Sequence, residues 1–230
     1  MGKTVLVVAA HPDDEVLGCG GAMARHAAAG DDVHIVLVAE GVTSRDAARA
    51  AADRGDDLEV LRTAARAAAA CLGARAPLFL GQPDNRLDEV PFLDLVKTIE
   101  AVVEQVAPDV VYTHHGGDLN QDHRLVQAAV LTALRPLPGV RPTALYAFEV
   151  LSSSEWTAPT AHTAFLPQRF VNITDHLAAK LAALACYRSE LRDFPHPRSL
   201  QGVETLARLR GMTCGFAAAE AFAVLREVVA

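Results

Sequence analysis

The stretch "TVLVVAAHPDDEVLGCGG" (residues 4–21) decides the fold. Its first seven residues are apolar and rich in β-branched side chains, which is typical of a strand buried on both faces of a parallel sheet. A helical pattern runs from Asp14 to about Ala29, and "DVHIVLVAE" (32–40) has the composition of a second buried strand. A strand–helix–strand unit predicts a right-handed crossover and parallel pairing.

The same alternation continues along the chain. Helices are predicted at 58–73, 92–108 and 120–136, and strands at 77–85 and 109–115. Beyond residue 140 the pattern predicts strands at 143–150 and 169–175 and helices at 176–191, 202–216 and 217–229. We therefore expect an α/β fold with an open, mostly parallel sheet and helices on both faces. One domain spans residues 1–230 in this interpretation, with 140–230 completing the pocket.

Composition excludes several classes of function. The net charge is -7 and the pI about 5.7, and no Lys/Arg cluster suggests a nucleic-acid partner. No segment approaches the ~20 apolar residues of a membrane span. The start of the chain does not resemble a signal peptide, so we expect a cytoplasmic protein. The four cysteines lack zinc-ribbon spacing. A homo-oligomer is compatible with the sequence.

Polar clusters follow four of the predicted strands. They occupy residues 11–15, 41–45, 81–85 and 114–123. Because the carboxyl ends of parallel strands meet at one edge of a sheet, and ligands bind at that edge, these clusters predict a common site.

The chemistry of this edge favours a metal. A catalytic zinc site has three His, Asp or Glu ligands and leaves one position for water. His11 and Asp14 lie three residues apart at a tight turn, and His123 in the first turn of a later helix is the third candidate. Asp13 then remains free to accept a proton from water. Two alternatives stay open: the acidic pair caps a helix, or it binds magnesium in a regulatory, phospho-accepting domain.

Other motifs are weaker. "GCGG" (18–21) lies inside the predicted helix and does not have the spacing of a dinucleotide-binding loop. "PHPRS" (195–199) is expected to form a surface turn, although His196 and Arg198 could reach a substrate. Glu220 is expected on the face of a helix.

Two motifs carry a family resemblance. "AHPDDE" (10–15) and "DLNQDH" (118–123) resemble those of the zinc-dependent de-N-acetylases that include the LmbE-like and PIG-L proteins. The resemblance extends to "KLAALACYRSEL" and "AEAF" in the C-terminal part. It implies a Rossmann-like sheet, one zinc ion per chain, and hydrolysis of an N-acetyl group from a small-molecule amino-sugar substrate to give acetate and free amine.

The resemblance also implies roles for single residues. His11, Asp14 and His123 match the zinc ligands, Asp13 matches the general base, and Arg45 resembles a substrate-binding arginine. One position departs from the pattern, since Asn120 stands where some members have a histidine. Asparagine can donate a hydrogen bond to an oxyanion but cannot deliver a proton. The remaining assignments are Asp13 as the group that returns the proton, His114 or His115 as alternative acids, and Asp122 as the partner that orients an imidazole.

Three rival interpretations remain. The first is an amidohydrolase that acts on a non-sugar N-acyl substrate with the same site. The second is the magnesium-binding regulatory domain. The third, a sugar-binding paralogue without activity, is disfavoured because Asp13 is intact.

Overall fold

The computed structural model describes residues 2–43, 54–138 and 143–228. Within these ranges the helices are α1 to α6 in chain order: Asp14–Ala28, Gly55–Cys71, Phe92–Val106, Gln121–Ala133, Leu177–Leu184 and Leu200–Cys214. The strands are β1 to β7: Thr4–Ala9, Asp32–Ala39, Leu78–Gln82, Val110–His114, Ala144–Phe148, Arg169–Asn172 and Ala219–Arg226. No described helix is long and apolar enough to cross a membrane.

The strands form one seven-stranded sheet in the order β3-β2-β1-β4-β5-β7-β6. The pairs from β3 to β5 are all parallel, whereas β7 runs antiparallel to both β5 and β6. The order 3-2-1-4-5 is that of a Rossmann-like sheet, so the predicted fold class is confirmed.

Strand β1 shows why helices cover both faces. Its side chains alternate, so that Val5 and Val7 pack with α1, α2 and α5 on one face. Leu6 and Val8 pack with α3 and α4 on the other. A strand buried on both faces is apolar along its buried length, and Val5 to Ala9 of β1 meet that condition after a half-buried Thr4.

The chain order places a switch point between β1 and β4. From β1 the sheet grows through β2 and β3 in one direction, and from β4 through β5 in the other. Loops that leave two such strands diverge and open a crevice at their carboxyl ends. His11 follows β1 and His123 lies in α4, the element after β4, so both predicted histidine ligands flank this crevice.

The prediction of a helix at 217–229 was wrong. Ala219–Arg226 is strand β7, which lies between β5 and β6 with Phe148 opposite Phe222. Alanine favours helix only weakly, and burial against two neighbouring strands outweighs that preference. The helix predicted at 176–191 is also shorter than expected, because α5 ends at Leu184.

Helix α1 is interrupted at Cys19, whose φ of -146° is not helical. Just before this break, Gly18 lies against strand β5. A Cβ atom on Gly18 would lie 2.2 Å from Phe148 Cδ2, so only glycine allows the helix to approach the sheet this closely. The break at Cys19 therefore separates the first turn of α1, which carries Asp14 and Glu15, from the rest of the helix.

Candidate metal centre

The His-Pro-Asp-Asp turn joins β1 to α1. Asp13 has a φ of 108°, a left-handed conformation that is strained for a non-glycine residue and is typical of functional turns. The turn folds back so that Asp14 Oδ2 accepts a hydrogen bond from the His11 backbone nitrogen at 2.9 Å and lies 3.1 Å from His11 Nδ1. The sequence spacing of three residues thus brings an imidazole and a carboxylate to one point.

His123 completes the group from across the crevice. It is fully buried, and its Nε2 lies 3.2 Å from Asp14 Oδ2. One ligand atom from each of His11, Asp14 and His123 lies within 4.8 Å of the others. The structure therefore brings together the three residues that were predicted as ligands.

The donor atoms fit a divalent cation. Asp14 Oδ1 and His123 Nε2 are buried and have no hydrogen-bond partner among the described residues. Leaving buried polar atoms unpaired costs about 1–3 kcal/mol each, so such atoms call for an explanation. Two imidazoles and one carboxylate are a ligand set of catalytic zinc, and a bound cation would satisfy both atoms.

The carboxylates of the site attract positive charge. Burial would raise the pKa of Asp14, but His123 and His11 beside it hold that pKa well below its usual range. Burial lowers the pKa of His11, and the hydrogen bonds to Asp122 and Asp14 reverse this and raise it well above its usual value. A carboxylate that stays ionised in a buried setting suits a cation.

Each metal-facing histidine has a carboxylate on its other side. His11 Nε2 lies 3.1 Å from Asp122 Oδ2 and 3.3 Å from Asp84 Oδ1. Asp122 is itself fixed by the Leu87 backbone nitrogen, which donates to Oδ1 at 3.0 Å. His11, Asp84 and Asp122 also meet the distance criterion for a metal group. Because these carboxylates face Nε2 and Asp14 faces Nδ1, they serve as the outer partners that orient the imidazole.

Asp118 is the corresponding carboxylate for His123, and sequence reasoning missed it. Its Oδ1 lies 3.2 Å from His123 Nδ1. The two atoms lie within ion-pair distance without meeting strict hydrogen-bond geometry. Burial would raise the pKa of Asp118, and His123 with two serine hydroxyls lowers it to about 2. The signal was present in the first residue of "DLNQDH".

Asp13 stands beside the metal group and is not one of its members. Its Oδ2 lies 3.4 Å from Arg198 Nη1. Burial raises the pKa of Asp13 well above the usual value, against the effect of the Arg198 charge, which lowers it. A carboxylate with a raised pKa is a better proton acceptor. Residues 195–199 form the expected turn, and this turn brings Arg198 to Asp13.

Two further groups hold the backbone of Asp13. Its nitrogen donates to Glu15 Oε2 at 3.0 Å, and the Tyr187 hydroxyl donates to Glu15 Oε1 at 2.5 Å. Burial raises the pKa of Glu15 to about 7. Glu15 thus supports the strained turn, as the third acidic residue of the motif.

Asn120 has a local structural role. As the N-cap of α4, its Oδ1 accepts from the Asp122 backbone nitrogen at 2.8 Å, and its Nδ2 donates to Asn85 Oδ1 at 2.8 Å. Its role toward substrate stays a prediction. Arg45 lies outside the described residues.

The two alternative acids differ in environment. His114 is buried and stacked on His123, and its Nε2 accepts from the Ala10 backbone nitrogen at 2.7 Å. Burial and the neighbouring His123 keep its pKa well below the usual value, so the ring is seldom in the protonated form that could deliver a proton. His115 Nε2 lies 2.9 Å from the Thr163 carbonyl oxygen, so that nitrogen carries its hydrogen there.

Known proteins are similar to this chain over much of its length. Residues 6–134 match the family described as "PIG-L: GlcNAc-PI de-N-acetylase". A relative from Mycolicibacterium vanbaalenii, 1D-myo-inositol 2-acetamido-2-deoxy-alpha-D-glucopyranoside deacetylase, is 29% identical over 242 residues, covering 85% of this chain and 83% of its own.

Solved structures give the same architecture. N,N'-diacetylchitobiose deacetylase from Pyrococcus horikoshii has a TM-score of 0.77 at 20% identity, with 97% of this chain and 84% of that chain covered. The 4-carboxy-2-hydroxymuconate hydratase from Pseudomonas putida has a TM-score of 0.74 at 25% identity, with 99% and 98% covered.

A Rossmann-like sheet with a His/Asp group at its switch point, together with these matches, defines an enzyme of the metal-dependent N-deacetylase class. The chain belongs to the PIG-L family, whose match covers more than half of its length.

Proposed function

We propose that the protein is a zinc-dependent hydrolase that removes the N-acetyl group of an N-acetylglucosamine-type conjugate. Water adds to the acetamide carbonyl, the C–N bond breaks, and acetate and a free amine are released. The observation that carries the proposal is the buried group of His11, Asp14 and His123 with Asp13 beside it. The family description and the deacetylase relative, both of which name acetamido-sugar chemistry, support the substrate class.

His11, Asp14 and His123 would hold the ion, through the atoms that face one another in the crevice. Zinc, when bound there, would supply Lewis acidity that polarises a carbonyl and lowers the pKa of water to about 7. The carboxylates behind both imidazoles keep the rings oriented for this role.

Asp13 is the general base in this proposal. Its carboxylate is nearly enclosed, with its side chain 3% exposed, and burial favours uptake of a proton. The strained backbone of Asp13 is held by Glu15, and its carboxylate lies beside Arg198. Asp13 takes a proton from the attacking water and afterwards returns it to the leaving nitrogen. One carboxyl group can serve as base in the first step and as acid in the second.

The neighbouring residues would contribute less directly. His114 is kept neutral, so it is a poorer candidate than Asp13 for protonating the amine. Asn120 has a second Nδ2 hydrogen besides the one donated to Asn85, and it could contribute that hydrogen bond to the developing oxyanion. Arg45, which lies outside the described residues, is proposed to bind substrate.

A second candidate reaction is hydration, because a hydratase shares the whole architecture at 25% identity. A third is hydrolysis of a non-sugar amide, since the metal group contacts only the scissile bond. The test is a substrate panel on zinc-loaded protein. N-acetyl sugars, nucleotide sugars and N-acyl amino acids are assayed for amine release, and unsaturated dicarboxylic acids for loss of ultraviolet absorbance. Amine release from N-acetyl sugars supports the proposal, and turnover confined to another class contradicts it.

A further inference from the structure

Asp118 is the meeting point of four polar groups behind the metal centre. Its carboxylate is 1% exposed. The Ser153 hydroxyl donates to Oδ1, and the Ser154 hydroxyl donates to Oδ2 at 2.5 Å. The Asn120 backbone nitrogen donates to Oδ1 at 2.8 Å, and His123 Nδ1 faces the same oxygen. Two consecutive serines thus share one buried carboxylate.

The Ser154 hydroxyl accepts one hydrogen bond and donates another. The Val150 backbone nitrogen donates to Ser154 Oγ at 2.8 Å. A hydroxyl has one hydrogen and two lone pairs, so Ser154 Oγ accepts from Val150 through a lone pair and its hydrogen is donated to Asp118. An ionised carboxylate only accepts, so the groups around Asp118 are all donors.

The same reasoning sets the protonation of His123. Because both oxygens of the Asp118 carboxylate accept hydrogen bonds, the imidazole nitrogen that faces it carries a hydrogen. That nitrogen is His123 Nδ1. The lone pair of the neutral ring then lies on Nε2, which faces Asp14 in the metal group. In metalloenzymes the outer partner of a histidine ligand fixes its tautomer in this way.

The turn that carries the serines is held in place from within. Ser152 has a left-handed φ of 65°. Its backbone nitrogen donates to Glu155 Oε1 at 2.6 Å, and that of Ser153 donates to Glu155 Oε2 at 3.3 Å. The Ser154 nitrogen donates to the Val150 carbonyl at 2.9 Å. The two hydroxyls therefore approach Asp118 from a braced loop directly after β5.

We propose that Ser153 and Ser154 are positioning residues of the metal centre, which hold Asp118 as the acceptor that keeps His123 in its Nδ1–H form with Nε2 as ligand atom. The inference rests on the metal site of the proposed function. It adds two outer residues that no motif near the ligands indicates, since Ser153 and Ser154 lie 35 and 36 residues beyond Asp118 in the chain.

The test compares Ser153→Ala, Ser154→Ala and the double variant with wild type. Zinc affinity is measured by competition with a chelating dye, and nitrogen-15 NMR of the imidazole rings reports the tautomer of His123 in the zinc-loaded protein. We expect the dissociation constant for zinc to rise about tenfold or more in the double variant. We also expect the Nδ1–H signal of His123 to shift and to exchange faster with water.

Two controls separate positioning from folding. Ser154→Thr keeps the hydroxyl and should restore zinc affinity and the NMR signal to near wild type. Ser152→Gly removes a hydroxyl from the same turn, and glycine tolerates the positive φ, so this variant should bind zinc as wild type does. If the double variant does not fold, the two single variants carry the comparison.

Wild-type zinc affinity together with an unchanged His123 signal in the alanine variants would overturn the inference. Neither measurement uses a substrate. Failure of the inference would therefore leave the deacetylase proposal standing, whereas a zinc-loaded wild type without deacetylase activity would contradict that proposal alone.

Discussion

Two buried groups of charged residues contact helix α1, and they differ in whether every polar atom has a hydrogen-bond partner. One is the metal centre at its start. The other is an ion pair at its break, where Lys180 Nζ lies 2.5 Å from Glu220 Oε1 and also donates to the Leu17 carbonyl at 2.9 Å. Glu220 in turn accepts from the backbone nitrogens of Gly21 and Ala22 at 2.9 and 2.7 Å.

The ion pair joins the two ends that the break leaves unpaired. Lys180 covers a carbonyl from the first segment of α1, and Glu220 covers two N–H groups from the second. At the metal centre, in contrast, Asp14 Oδ1 and His123 Nε2 stay without hydrogen-bond partners among the described residues. The ion pair is therefore complete as it stands, whereas the metal centre leaves ligand atoms unpaired that a bound cation would satisfy.

The strongest expected effect concerns activity alone. Asp13→Asn keeps the size of the side chain but removes the proton acceptor, so kcat should fall about 10²–10⁴-fold. Zinc content, measured by atomic emission, should stay at the wild-type level because Asp13 is not a ligand in this account. Deacetylation at the wild-type rate by the zinc-loaded variant would refute the assignment of the base.

The largest effect on stability should lie at the other region. Lys180→Met leaves the Glu220 carboxylate buried without its counter-charge and should lower the free energy of unfolding by about 3–5 kcal/mol. Urea denaturation measures this loss. The double variant Lys180→Met/Glu220→Gln should lose less than the two single variants together, and strict additivity would show that the pair is not coupled.

Stabilisation of the folded chain by zinc should depend on the metal centre and not on the Lys180–Glu220 ion pair. A cation that binds only the folded chain adds about 2.7 kcal/mol at a free concentration one hundred times its dissociation constant. Thermal melting with and without zinc should show this shift in wild type and in Lys180→Met, but not in His123→Ala. A full shift in His123→Ala would place the bound metal elsewhere.

A surface pair provides the smallest effect and a baseline. Asp31 is little buried, and its pKa is held below its usual value because the effect of desolvation is outweighed by hydrogen bonds from His26 and the Lys3 nitrogen. Its contribution to stability is therefore present above the unfolded pKa of about 3.9 and is lost as pH falls below it.

Asp31→Asn tests this sign. The variant should be slightly less stable than wild type in urea at neutral pH, and the difference should shrink as the pH falls through the acidic range. A difference that grows on acidification would contradict the sign of the pKa shift.

How far the sequence predicts the molecule depends on how local each signal is. The strand in "TVLVVAA" and the turn in "HPDDE" can be predicted from their own residues, because apolar patterning and ligand spacing are read within a few residues. Strand β7 was mistaken for a helix because its pairing partners, β5 and β6, lie far away in the chain. Local preference could not reveal them.

The same distinction divides the site. His11, Asp14 and His123 were predicted from motifs, and the structure brings them together. The contact of Arg198 with Asp13 spans 185 residues, which no local motif indicates. Asp118 and Asp122 both stand in the motif "DLNQDH", but the packed fold decides that Asp122 faces His11 and Asp118 faces His123.

Measuring acetate release from an N-acetylglucosamine conjugate tests the proposed zinc-dependent deacetylation most directly. One preparation is assayed in three states: zinc-loaded, chelator-treated, and chelator-treated with zinc restored. We expect activity in the first and third states only, and none in zinc-treated His123→Ala at the same concentrations. Equal acetate release in the chelated, metal-free state, or full activity of His123→Ala, would contradict a deacetylase that works through the His11, Asp14 and His123 group.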